Sequence, residues 1–277
     1  TGAMLSSGLF LLPGLAAAKA GPAAVLAYLL AGLLAVPAML SVSELATALP
    51  KAGGAYYFLE RALGPAVGTV AGFGTWLSLV LKDAFAMVGM SAYLVLILDV
   101  DATTLALALI ALFTLVNVVG SKASASMQLA LVVVVLGVMA WFIVEGLAEA
   151  ASRGFDGSNL DPFFTTGLSG VTAVIGLVFV SFGGLTKVAS AGEEVEDPSR
   201  RIPLGMALSL ATATVLYTLG VLVTVALVPP DVLHGDLAPI HTAAEAVLPK
   251  VGVWLVVVAA LAAFSSAVNA GILAAAR

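Results

Sequence analysis

Two short stretches hold most of the residues that could do chemistry in an otherwise oily chain. Residues 179 to 190 read FVSFGGLTKVAS, an apolar run interrupted by Gly183 and Gly184 and followed by Thr186 and Lys187. Residues 1 to 14 read TGAMLSSGLFLLPG, where Ser6, Ser7 and Gly8 interrupt a second apolar run. Helix is the only cheap way for an open chain to satisfy its backbone in lipid, so an unwound segment at that depth must line protein or water. Unwinding bares amides at the start of one half-helix and carbonyls at the end of the other. Such a pair of ends suits a zwitterion, with amides taking a carboxylate and carbonyls an ammonium. The plainer reading of either break is that Gly and Ser permit close packing of membrane helices. Together they fall in the first and sixth apolar runs, corresponding positions if five-span units repeat, which points to a site between inverted repeats.

Two smaller sets stand out. Lys82 and Asp83 lie inside the third apolar run, and an ionisable group at membrane depth is a functional hypothesis by default. Sequence neighbours point about 100° apart on a helix, so the two need not pair with each other. The plainer reading places either near an end of a long tilted span. Ala262, Ser265 and Ser266 share one helical face by their spacing. Hydroxyls with backbone carbonyls suit a hard cation such as sodium, although a Ser-Ser pair also serves simple packing.

The elements that must hold these residues follow from composition. The chain has 277 residues, is 61% hydrophobic and 10% charged, and has a mean hydropathy of +1.15. Ordinary soluble domains are nearer a quarter charged, so this is an integral membrane protein in contact with the bilayer. Eight spans are expected, at about 3 to 17, 22 to 48, 65 to 96, 102 to 120, 123 to 147, 168 to 191, 203 to 228 and 249 to 275. A cytoplasmic N-terminus puts Lys51, Arg61, Lys122, Arg200, Arg201 and Arg277 inside and leaves Lys19, Arg153 and Lys250 outside. The absence of cysteine and the placing of His234 and His241 in one polar loop set aside thiolate metal sites and redox chemistry. No nucleophile-base pair or metal-ligand cluster suggests an enzyme, and no cofactor or nucleic acid is implied.

Several motifs in order resemble the amino acid-polyamine-organocation (APC) superfamily of amino acid permeases. Ser6-Ser7-Gly8-Leu9-Phe10 with Pro13-Gly14 is similar to its GSGIF...PG. Ser43-Glu44-Leu45 with Leu49 through Tyr56 is similar to its SxxEL...PxAGGxY. Phe182-Gly183-Gly184-Leu185, Glu193-Glu194-Val195 and Asp197 through Pro203 are similar to its FxGF...EEVxNPxRxxP. The resemblance implies an all-α polytopic membrane protein with a five-plus-five inverted-repeat (LeuT-like) transporter fold and broken helices one and six. The first repeat is expected at 1–147, an extracytoplasmic loop at 148–167, and a partial second repeat at 168–277. The chain is accordingly expected to be a fragment covering spans one to eight. Carried over by residue, the amides of Ser6, Ser7 and Gly8 would hold a substrate carboxylate. Carbonyls of Met4, Val180 and Gly183 would hold its ammonium, and Phe182 would be an aromatic gate.

The implied function is secondary active transport of amino acids or related amines across the cytoplasmic membrane by alternating access. Coupling is where the chain departs from its relatives. Many of them place an acid after the FxGF turn, where this chain has Thr186, and some place a lysine in the fifth span, where it has Val135. Lys187 is therefore the candidate proton carrier, with Lys82 and Asp83 as further candidates. The rival is a sodium site built from Gly2, Leu5, Ala262, Ser265 and Ser266, and uncoupled exchange is a third reading. A channel-like ion-conducting subunit or a non-transporting sensor is the alternative of another class.

Overall fold

The structure, a computed structural model, describes residues 2, 4–48, 54–119, 125–152, 159–185, 195 and 197–275. Every regular element among these is helical. The first span is split into α1 (Ser7–Phe10) and α2 (Leu12–Ala20). A 3-10 turn at Gly21–Ala23 leads into α3 (Ala24–Ala48). Gly21 has φ +59°, and a Cβ there would also collide with Thr165, so the turn needs glycine on both counts. The short amphipathic α4 (Gly54–Leu63) folds back on α5 (Pro65–Val95).

The chain continues through α6 (Ala102–Val119) and α7 (Ala125–Ser152) to α8 (Gly167–Phe179), which tightens into a 3-10 segment at Val180–Leu185. After it come α9 (Pro198–Leu227), two short loop helices, α10 (Pro230–Leu233) and α11 (Pro239–Glu245), and α12 (Lys250–Ala275). Each of the eight expected apolar runs thus has a helical counterpart. Among the described residues, six helices are long and apolar enough to cross a membrane. Leu12–Ala48 counts as one such run through the Gly21 turn, while Ala102–Val118 is shorter.

The first span is the axis of the bundle. Leu9, Phe10 and Leu11 are wholly buried, because α3, α5, α8 and α9 surround the broken segment and its second half. On the periphery the order reverses, and large apolar side chains such as Val70, Val118, Leu168 and Val251 are exposed, as lipid-facing surfaces require. The connection before α8 is tied down by long-range bonds. Thr166 Oγ1 donates to the Lys19 carbonyl at 2.7 Å, the Ala23 N–H to the Phe163 carbonyl at 3.1 Å, and Asn159 Nδ2 to the Ala226 carbonyl at 3.1 Å.

Candidate functional site

The break in the first span has two causes visible in its residues. Ser6 sits in a non-helical conformation, φ −152° and ψ −121°, directly before α1. Five residues on, Leu11 interrupts the helix at φ −121°, because Pro13 has no N–H to donate and its ring crowds the carbonyl four residues back. Amides in the first turn of a helix have no intrahelical acceptor, which leaves those of Ser7 and Gly8 unserved by α1 itself. Carbonyls that the break frees are met from outside. Tyr28 Oη donates to the Gly8 carbonyl at 2.8 Å, Tyr93 Oη to the Phe10 carbonyl at 3.0 Å, and Tyr217 Oη to the Met4 carbonyl. Three phenols from α3, α5 and α9 thereby anchor one seven-residue segment, Met4 to Phe10.

The break in the sixth span starts earlier than its glycine pair suggests. Its α-helix ends at Phe179, and Val180–Leu185 winds as 3-10 helix, a tighter geometry common at helix ends. Second-half residues 186 to 191 lie outside the described residues. Gly8 and this segment meet directly, since a Cβ on Gly8 would lie 2.5 Å from Ser181 Cβ and 2.7 Å from Tyr217 Oη. Phe182 is buried, with its ring 5.3 Å from that of Tyr217 at 62°.

Beside this junction lies a cavity of about 490 Å³. Ser7 and Leu12 of the first span, Leu177, Val180 and Ser181 of the sixth, and a stripe of α5 that includes Lys82 line it. Such a volume is ordinary for a small-molecule site.

Comparison with known proteins decides the family, because a family model described as amino acid permease matches residues 1–277. The chain belongs to the amino acid permease family. One relative is an uncharacterized transporter of Mycobacterium bovis, 29% identical over 242 residues, covering 87% of this chain and 54% of the relative. A branched-chain amino acid permease of Bacillus subtilis is 30% identical over 237 residues, 78% of this chain and 50% of its own. A vacuolar cationic amino acid transporter of Arabidopsis thaliana is 29% identical over 292 residues, 98% of this chain and 46% of its own. The chain thus spans about half the length of the curated relatives it matches.

Among the permease's remaining candidates, the neighbours Lys82 and Asp83 point to different places. Lys82 lines the cavity and its Nζ is buried. The Asp83 carboxylate instead lies over Gly271 of α12, where any side chain at 271 would displace it. Thr186 and Lys187 lie outside the described residues, as do Glu193 and Glu194.

The candidate sodium residues separate as well. Gly2, Leu5, Ala262 and Ser266 line one small cavity of about 10 Å³ with Leu131, Val132 and Val135, close to the room one water-sized particle needs. Ser265 is not among its lining residues.

The three tyrosines were not singled out by sequence reading. Their signal is faint, since each is one aromatic residue in an apolar helix, and only the pairing of a phenol with a bared carbonyl gives it meaning. Ser6 was in the expected set for its amide, and its Oγ is buried with no hydrogen-bond partner among the described residues. An unmet buried hydroxyl costs about 1–3 kcal/mol, so a water or ligand at the break would be stabilising.

Proposed function

We propose that this permease is a secondary active transporter of amino acids or related amines, working across the cytoplasmic membrane by alternating access with its N-terminus in the cytoplasm. One observation carries the reading: the broken segments of the first and sixth spans meet at Gly8 and Ser181, and both border one cavity. In this reading the amides of Ser6, Ser7 and Gly8 receive the substrate carboxylate, and the carbonyls of Met4, Val180 and Gly183 receive its ammonium. Phe182 closes the site as a gate. Met4 already accepts from Tyr217, and a carbonyl has a second lone pair for the substrate. The two repeats, 1–147 and 168–277 with the loop at 148–167 between them, rock against each other around the site.

Proton coupling is the primary assignment, with Lys187, Lys82 and Asp83 as carriers and Thr186 in the place of the relatives' acid. Sodium coupling is the second reading, in which Gly2, Leu5, Ala262 and Ser266, residues that line one small space of about 10 Å³, would hold the ion together with Ser265. Uptake of a panel of labelled amino acids into proteoliposomes, under imposed proton or sodium gradients, separates them. Stimulation by a proton gradient that is abolished in Lys187→Ala supports the first, and stimulation by sodium alone supports the second. Currents far above carrier turnover without saturable uptake would instead indicate a channel.

A further inference from the structure

Away from the junction of the broken segments, where α5 ends and α12 begins, lies a second cavity of about 640 Å³. Two helix faces build it. On α11, His241 and Glu245 stand four residues apart and so share one face. On α12, Lys250, Val253, Trp254 and Val257 follow the spacing of a single helical stripe. Leu96, just past α5, and Leu248, in the turn between α11 and α12, complete the lining. Asp236 holds α11 in this orientation, since its carboxylate accepts from the Ala238 N–H at 2.7 Å and from Thr242 Oγ1 at 2.5 Å.

The two large cavities differ in chemistry. Among the described residues, three of the eight that line this one are ionisable and of both signs, against one of the eleven around the central cavity. Glu245 and Lys250 sit on adjoining helices and are exposed, so a solute reaches both from water. Between them the indole of Trp254, 53% exposed, and the side chains of Leu96, Leu248, Val253 and Val257 form an apolar floor. A volume of this size is ordinary for a small-molecule site.

We propose that this cavity is a second binding site of the permease, for a zwitterionic amino acid with an apolar side chain. Lys250 takes the carboxylate and Glu245 the ammonium, each by a charge-assisted hydrogen bond. The ligand's side chain lies on Trp254 and the leucine and valine floor. In the orientation proposed above this end of the bundle is extracytoplasmic, and α11 also packs on α1 and α2. An amino acid held here therefore waits one helix away from the broken first span. Its use as captured substrate rests on the transport proposed above, whereas the binding itself does not.

The test is the number of labelled leucine molecules that the full-length permease binds at saturation in detergent, read by equilibrium dialysis. Wild type is expected to bind two. Lys250→Met and Glu245→Gln, both at exposed positions, are each expected to weaken one of the two at least about tenfold with thermal unfolding unchanged, and Gly8→Val to remove the other. Should Gly8→Val not fold, the comparison of wild type with the two charge variants carries the test. A leucine that survives Gly8→Val and is lost with Lys250→Met supports this site and leaves the central one to stand or fall by itself. A single leucine, lost with Gly8→Val and unchanged in both charge variants, overturns the inference and leaves the transport reading standing. The free headgroup glycerophosphoethanolamine separates a lipid source: if it fills a Lys250-dependent site that leucine does not enter, the cavity is a headgroup site and the proposal fails. It fails too if no leucine binds at all.

Discussion

The two broken segments are built differently. Met4 to Phe10 is held by phenols from three other helices, and its glycine is walled in, with Ser181 and Tyr217 within 3 Å of where a Cβ would stand. Val180 to Leu185 keeps its backbone wound as 3-10 helix, and a Cβ on Gly183 would meet nothing within 4 Å. Glycine is thus required at 8 for space, whereas at 183 a side chain would find open room. One half of the site is clamped from outside, while the other half keeps room beside it. Under the proposed transport cycle, the fixed segment would recognise substrate and the other would rearrange around it.

The largest effect should come from filling the clamped side. Gly8→Val places methyl groups where Ser181 and Tyr217 already sit. It should cost at least about 1–3 kcal/mol of stability and eliminate transport, as read by thermal unfolding in detergent and by uptake. Next is removal of the clamp, since Tyr217→Phe leaves the buried Met4 carbonyl without its donor, at about 1–3 kcal/mol. The chain has no cysteine, so a single cysteine introduced at Leu5 reports the loosening directly. Its labelling by a water-soluble maleimide should speed up several-fold in Tyr217→Phe, and an unchanged rate would show that the phenol does not hold the segment.

The open side should respond least. Gly183→Ala meets no neighbour, and alanine favours helical winding over glycine by about 0.5–1 kcal/mol. Stability should therefore hold or rise slightly, with uptake changed by less than about tenfold. Equal damage from Gly8→Val and Gly183→Ala would erase the asymmetry. Smaller still is the effect expected at the serine pair. Under sodium coupling, Ser266→Ala should weaken sodium stimulation while Ser265→Ala leaves it intact, because Ser266 lines the small cavity and Ser265 does not.

Particular residues show how far the sequence could be read. Apolar runs bounded by Gly, Pro and charge located each helix to within a few residues, since hydrocarbon permits little else. Ser6, Ser7 and Gly8 announced the break in the first span and Gly183 with Gly184 that in the sixth, whereas the second interruption at Leu11 was not read from Pro13. The 100° turn between neighbours on a helix gave Lys82 and Asp83 different directions, but which of them lined the cavity depended on how α5 is rotated in the bundle. That rotation is set by packing with α4, α6 and α12 and has no signature in α5 alone. The tyrosine clamp was illegible for the same reason, because Tyr28, Tyr93 and Tyr217 lie up to 189 residues apart in sequence (217 − 28) and meet only around α1. The start of the sixth-span break at Val180 was likewise hidden, since 3-10 winding is common at helix ends and is tied to no residue type.

The central claim, that the two broken segments form one amino acid site serving both sides of the membrane, is tested most directly by counterflow. Proteoliposomes containing the full-length permease and preloaded with unlabelled leucine should transiently accumulate labelled leucine above equilibrium, saturably, and Gly8→Val should abolish the overshoot. An overshoot that persists undiminished in a folded Gly8→Val protein would contradict the account.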